Sequence, residues 1–242
     1  MLCFNFQKKF INRKSLVNLI SVLKVGIFRF LFFIQESIYL LSSLYVRYPR
    51  LLLYDLTKCM YSLLNNPYTH LRRSGQSSLL YEGNVYGETP WSVLNKISTE
   101  FGITSKDVVY DLGCGLGKAC FWFSHVVGCQ VIGVDNQSAF ICFASRFHKW
   151  LSSQPTLFFQ ESFDEIQLEQ ASCVYFYGSS YSLKVLKRVL KACESLSSGN
   201  MVISISFPLS SLPQGNEFFF TEKSCDVRFP WGKTTAYKNI RK

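Results

Sequence analysis

The chain has 242 residues, 48% of them apolar and 16% aromatic with 22 phenylalanines, which is enough for a sizeable core in one domain of ordinary size plus an extension. Its formal charge of +10 is unevenly placed: residues 1–80 hold 11 Lys/Arg against 2 Asp/Glu, and residues 81–242 hold 15 against 14. The basic character therefore belongs to the N-terminal part, where it favours contact with a membrane surface, an acidic partner or RNA, and it argues against a nucleic-acid groove running across the whole domain.

Residues 1–14 are basic and carry no clear fold signal. Residues 15–46 are strongly apolar but interrupted by Lys24, Arg29 and Glu36. A span wants about 20 apolar residues, and a charge at mid-bilayer costs roughly 2.5–3.5 kcal/mol. Three readings stay open here: helices packed on the domain, a basic amphipathic helix making peripheral contact with a membrane, or a true span. A signal peptide is disfavoured, because no small-residue cleavage site follows a short apolar core. Pro49 predicts a helix over Arg50 to Leu64, with Leu52, Leu53, Leu56, Met60, Leu63 and Leu64 as its apolar face. Asn65-Asn66-Pro67-Tyr68 stops it, and Ser74 to Ser78 reads as a linker. That divides the chain near residue 80 into a basic, apolar helical extension (1–80) and a second domain (81–242).

The second part opens on Glu82-Gly83-Asn84-Val85-Tyr86-Gly87-Glu88-Thr89-Pro90-Trp91, followed by a helix from Trp91 to Phe101. In a doubly wound fold this loop arrives beside the ligand crevice, where Glu88 and Thr89 can bind the amino or carboxyl groups of a ligand. Alternatively, Thr89 before Pro90 is a helix N-cap. Val108-Val109-Tyr110 is a buried strand that runs into Asp111-Leu112-Gly113-Cys114-Gly115-Leu116-Gly117-Lys118. The three glycines permit backbone angles and close approach that a Cβ forbids, and the free N–H groups of the next helix point back at the loop. Gln130 to Val134 is the next strand and ends in Asp135, where a ribose diol needs an acceptor. A helix from Ser138 to Leu151 and a strand from Thr156 to Gln160 follow. Glu161, Ser162 and Phe163 stand at that strand's end, where an acceptor and an apolar side chain can meet a ligand.

Ser172 to Tyr177 is a fourth strand, ending at Gly178. The helix Tyr181 to Leu196 buries Leu186, Val189, Leu190, Cys193 and Leu196 and turns Lys184, Lys187, Arg188 and Lys191 to solvent. Met201 to Phe207 is a fifth strand. Phe218 to Phe220 and Thr234 to Asn239 make an edge pair around a turn near Pro230 to Gly232. The alternation predicts an α/β, doubly wound, mostly parallel seven-stranded sheet, Rossmann-like, with a helical N-terminal extension. The nine cysteines have no zinc spacing and an odd count, which suits a reducing, cytoplasmic setting. Only Cys114, in the glycine loop, is placed to touch a ligand.

The G-x-G-x-G spacing, the acid two residues before it and the acid ending the next strand resemble motif I of class I S-adenosylmethionine methyltransferases. Val85-Tyr86-Gly87-Glu88-Thr89, that loop and Phe207-Pro208 together resemble the non-SET histone-lysine methyltransferase family over about residues 81–242. The resemblance implies S-adenosylmethionine as cofactor and a protein lysine as methyl acceptor. It implies that Glu88 and Thr89 fold over the cofactor and that Asp111, Gly113 and Gly115 line its methionine end; Cys114 and Gly117, in the same loop, are further cofactor-binding candidates. By the same resemblance Asp135 takes the ribose and Ser162 and Phe163 fall at the adenine, with Asn136 and Glu161 beside them as further cofactor-binding candidates. Ser162 stands where that family has Asp, and Tyr177-Gly178 stands where it has Asn-Asn. Gly178-Ser179 and Trp231 to Thr235 also resemble membrane-anchored, seven-β-strand lysine methyltransferases, which carry an apolar N-terminal segment. Tyr86, Tyr177 and Tyr181, with Phe207, are the candidates for an aromatic mouth around a reacting amine; the same aromatics serve equally as core. A small molecule, lipid or RNA as acceptor, and a catalytically silent cofactor-binding scaffold, remain the alternatives. The oligomeric state is not legible.

Overall fold

Five apolar runs of strand length recur along the chain with amphipathic helical segments among them; four are buried because helices cover both faces of the sheet they join, and Thr156–Gln160, at the edge, is partly exposed. The computed structural model describes residues 13–64, 87–151, 156–162 and 165–242. The linker, the Asn65 to Tyr68 helix stop and the candidates Tyr86 and Phe163 lie outside the described residues.

The strands are β1 (Val108–Leu112), β2 (Gln130–Asp135), β3 (Thr156–Gln160), β4 (Cys173–Phe176), β5 (Met201–Ile205), β6 (Phe219–Phe229) and β7 (Gly232–Arg241). They form one sheet in the order β3-β2-β1-β4-β5-β7-β6. β1 to β5 pair in parallel, and β7 and β6 add antiparallel at one edge. Strand order reverses between β1 and β4, so the crevice for a ligand opens at their carboxyl ends. The expected doubly wound, mostly parallel seven-stranded sheet is the fold found.

The helices are α1 (Arg13–Tyr39), α2 (Pro49–Leu64), α3 (Trp91–Phe101), α4 (Lys118–Phe121), α5 (Ser138–Leu151) and α6 (Leu183–Ala192). α1 and α4 each run on through a π-helical turn, at Leu40–Leu44 and Trp122–Val127. Core residues of α2, α3, α4 and α5 pack on one face of the sheet. α6 covers the other, and its expected apolar face, Leu186, Val189, Leu190, Cys193 and Leu196, is buried there.

Two expectations change on contact with the structure. The apolar face read for α2 points outward: Leu52, Leu56, Met60 and Leu63 are exposed, and Leu51 and Tyr54 are fully buried instead. The helix is apolar on two sides, and Tyr54 decides between them. Its ring fits edge-on to Trp91 (5.6 Å) and Phe147 (4.8 Å) and stacks on Phe121 (5.5 Å). Second, Thr89 does not cap α3. Pro90 holds the cap position with no side-chain bond, and the Ser92 N–H is taken from outside, by Glu36 of α1 at 3.2 Å. The edge strand β6 is also much longer than Phe218 to Phe220, because its polar middle gives no apolar signal.

Lys24–Arg47 is long and apolar enough to cross a membrane by length and composition. In the fold it lies with Ile27, Phe30, Leu31, Phe33, Ile38 and Leu41 exposed. Gln35 and Glu36, on another side of it, reach Arg228 and Ser92 of the domain.

Candidate cofactor and active site

A cavity of about 570 Å3 opens at the carboxyl ends of β1, β2 and β4. Its floor is the glycine loop. Gly113, Gly115 and Gly117 all adopt left-handed backbone angles (φ 82°, 54° and 83°), which only glycine takes without strain. Gly113 and Cys114 donate their N–H groups to Val134 O at 2.8 and 3.0 Å, tying the loop to β2. Gly113, Cys114 and Gly115 line the cavity. Gly117 faces away from it: a Cβ there would stand 3.1 Å from Ala144 and 3.3 Å from Phe158, so this glycine lets α5 and β3 close on the loop.

Asp111 is the last residue but one of β1 and Asp135 ends β2, and both line the cavity while buried. Burial pushes the Asp111 carboxyl up to about 7, offset by a hydrogen bond from the Cys120 thiol at 3.2 Å and reinforced by the charge of Asp135. Asp135 is pushed up to about 6 by burial, against the pull of backbone N–H groups. They are Gln137 N at 2.8 Å, Gly115 N at 3.0 Å and Asn136 N. The Cys114 thiol is held up at about 11, mainly by burial, so it is a neutral wall of the site and not a nucleophile.

Glu88 and Thr89 reach the cavity from the loop before α3. The Thr89 hydroxyl bonds the Tyr175 hydroxyl of β4, and both are buried. The Glu88 carboxylate sits between two lysines, paired with Lys58 of α2 and 3.8 Å from Lys118 at the start of α4. Lys118 also lies over the Trp91 ring at 4.6 Å, and burial lowers its pKa. At the far end stand Asn136 and Gln137 after β2, and Glu161 and Ser162 after β3, with Phe140 as an apolar wall. Arg188 bonds the Ser162 hydroxyl, so it belongs to the cavity and not to the solvent face of α6 as its spacing suggested.

In another part of the wall, Tyr177 and Tyr181 line the cavity together with Trp231. Tyr177 stacks on Phe229 at 5.0 Å, Phe229 on Trp231 at 5.3 Å, and the Trp231 indole N–H donates to the Tyr177 hydroxyl at 2.9 Å. Tyr181 stacks on Phe176 at 5.6 Å, and burial raises its pKa. Phe207 packs into the core beneath α6 instead of facing the cavity. The neighbouring Ser206 takes its place in the lining, at a positive φ of 79° that is uncommon for serine.

The structure thus brings together Glu88, Thr89, Asp111, Gly113, Cys114, Gly115, Asp135, Asn136, Glu161, Ser162, Tyr177 and Tyr181 around one cavity. Sequence reasoning missed Lys118, Tyr175, Arg188 and Trp231. Lys118 could have been found as the residue after the third glycine, whereas Trp231 depends on a hairpin length that no local pattern shows.

The donor set suits an amino-acid nucleoside. Asp135 and Glu161 are acceptors for hydroxyl and amino groups, Phe140 is an apolar wall, and Glu88 and Lys118 offer opposite charges to an α-ammonium and an α-carboxylate. Fold and site together define a class I S-adenosylmethionine-dependent methyltransferase. The profile of the family described as Histone methylation protein DOT1 matches residues 78–204, and the chain belongs to that family. Among curated proteins no match was found. Among solved structures, an RNA methyltransferase from Salinibacter ruber in complex with S-adenosyl-L-homocysteine is 21% identical, with a TM-score of 0.54 over 64% of this chain and 94% of that one. Magnesium protoporphyrin IX methyltransferase from Synechocystis PCC 6803 with bound S-adenosylmethionine is 14% identical, with a TM-score of 0.50 over 78% and 97%. These two likenesses carry the fold.

Proposed function

We propose that the enzyme methylates a lysine side-chain amine of a protein. The observation that carries this reading is the stack of Tyr177, Phe229 and Trp231 at the edge of the cavity. An amine attacks only when neutral, and an aromatic, poorly hydrated mouth disfavours its charged form. When bound, S-adenosylmethionine supplies a methyl group made electrophilic by the sulfonium. The chain's own residues have the rest of the work. Glu88, Lys118, Asp135 and Glu161 would hold the cofactor, and Tyr177, Tyr181 and Trp231 would orient and desolvate the amine. Membership of a histone methylation family supports a protein acceptor. The test is radiolabelled methyl transfer to a fractionated lysate. Label that survives nuclease and lipid extraction, and that hydrolyses to methyl-lysine, is the expected result. Label confined to RNA, lipid or a small molecule would overturn it.

We further infer peripheral contact of the N-terminal helices with a membrane, in a cytoplasmic setting that suits the free thiols. The exposed row on α1 is matched by Leu52, Leu56, Met60 and Leu63 on α2. Exposed apolar area of this extent is unusual on a soluble surface, and the excess of Lys/Arg in residues 1–80 suits anionic headgroups. Flotation with vesicles containing anionic lipid should bring the protein to the top of the gradient, and a Leu52→Ser/Leu56→Ser/Met60→Ser variant should stay at the bottom. A wild type that never floats ends this reading.

A further inference from the structure

We propose that Lys58, on a helix outside the βαβ units, is a positioning residue of the cofactor site: it holds Glu88 so that Lys118 stays available to the α-carboxylate at the cofactor's amino-acid end. Glu88 and Lys118 line the cavity, whereas Lys58 does not. Lys58 bonds the same Glu88 oxygen that Lys118 approaches only to 3.8 Å. The three side chains are 23%, 15% and 13% exposed in the order Lys58, Glu88, Lys118, so their charges are poorly screened and strongly felt by one another.

The helix that carries Lys58 is itself fixed to both loops framing this end of the cavity. The Tyr54 hydroxyl donates to Leu116 O of the glycine loop at 3.1 Å. Asp55 accepts from the Trp91 indole N–H at 2.6 Å, just past Glu88 and Thr89, and from the Tyr45 hydroxyl at 2.7 Å. Asp55 also stands 3.9 Å from Lys58 and sets its direction. With Lys58 present, two lysines stand against Glu88 and Asp55, and Glu88 is held by Lys58, which leaves Lys118 for an incoming carboxylate. Without Lys58, the cluster loses one cation, Glu88 draws Lys118 closer, and the amino-acid end meets less positive charge. α2 therefore acts on the affinity for the cofactor without touching it.

The inference rests on S-adenosylmethionine as the cofactor, and calorimetry with two unreactive ligands separates the two. S-adenosylhomocysteine has the amino-acid end; methylthioadenosine lacks it. Lys58→Met should weaken S-adenosylhomocysteine about 10-fold, as expected for a hydrogen bond to a charged group. Methylthioadenosine should bind as it does to wild type, and Lys58→Arg should restore most of the loss. In a double-mutant cycle, Lys58→Met should add little on top of Glu88→Gln. Equal weakening of both ligands would mean general loosening and overturn the proposal, as would additive effects or unchanged affinity. Should Lys58→Met fail to fold, Lys58→Gln enters the same comparison. A wild type that binds neither nucleoside would remove the cofactor reading, and this inference with it.

Discussion

Asp135 Oδ2 accepts the backbone N–H of Gly115 at 3.0 Å, so the carboxylate that ends β2 also braces the loop that follows β1. One side chain thereby serves both as acceptor for a ribose and as part of the frame around it. Asp135→Ala removes both at once. It should weaken S-adenosylhomocysteine by about 10- to 100-fold, the scale of one or two hydrogen bonds to a charged group. Asp135→Asn keeps an acceptor oxygen and should lose less. Calorimetry on the two variants checks the order; equal affinity for wild type and Ala would remove Asp135 from the site.

The same burial that builds this site makes it sensitive to pH, and in opposite senses for stability and for binding. Asp111 and Asp135 hold their protons up to about 7 and about 6, against 3.8 when unfolded, chiefly because burial disfavours the charge. Between those values the native state binds more protons than the unfolded chain, so stability falls as pH rises from about 4 to about 7. The cost is on the order of a few kcal/mol for the pair. The melting temperature of the ligand-free protein should therefore drop across that range. Ionised Asp135 is the better acceptor for two ribose hydroxyls, so affinity for S-adenosylhomocysteine should climb over the same interval. A flat melting temperature would mean that the two carboxyls are better solvated than their burial implies.

Gly117 offers a test of framework alone. It sits at φ 83° with Ala144 and Phe158 within 3.1 to 3.3 Å of where a Cβ would be. Gly117→Ala should cost roughly 1–3 kcal/mol through backbone strain and crowding. At about 2–4 °C per kcal/mol for a chain of this size, thermal unfolding should shift down by several degrees. Gly117 does not line the cavity, so nucleoside affinity in the folded variant should stay close to wild type. A large loss of affinity with unchanged melting would reverse the assignment.

These contrasts show what the sequence carried. The glycine loop, Asp111 and Asp135 were legible because strand, loop and helix lie within a few dozen consecutive residues, and local spacing fixes their geometry. The edge pair β6 and β7 was legible only as two fragments, since the run from Thr221 to Asp226 is polar and partly exposed, and only pairing with β7 makes it strand. The buried side of α2 was misread because periodicity identifies an apolar stripe but not which of two stripes finds a partner. Tyr54 finds Trp91, Phe121 and Phe147, which lie 37 to 93 residues further along the chain. The Lys58, Glu88 and Lys118 cluster was invisible for the same reason: its members come from three separate elements, and none follows a motif that names the other two.

Trp231 is the clearest of these long-range contributions, since the β6–β7 hairpin brings it 54 positions back to Tyr177. Its indole N–H fixes the Tyr177 hydroxyl, and its ring extends the aromatic face that Tyr177 and Phe229 begin. Trp231→Ala should therefore raise KM for the protein acceptor and lower kcat, because an amine in a wetter mouth keeps its proton. The affinity for S-adenosylhomocysteine should change little. Tyr177→Phe loses only the hydrogen bond and should cost no more than about 10-fold in kcat/KM. Raising the assay pH should restore part of the activity of Trp231→Ala by deprotonating the acceptor in solution, a recovery that a collapsed hairpin would not give. Steady-state assays over a range of pH on both variants decide between a mouth that desolvates the amine and a hairpin that merely closes the sheet.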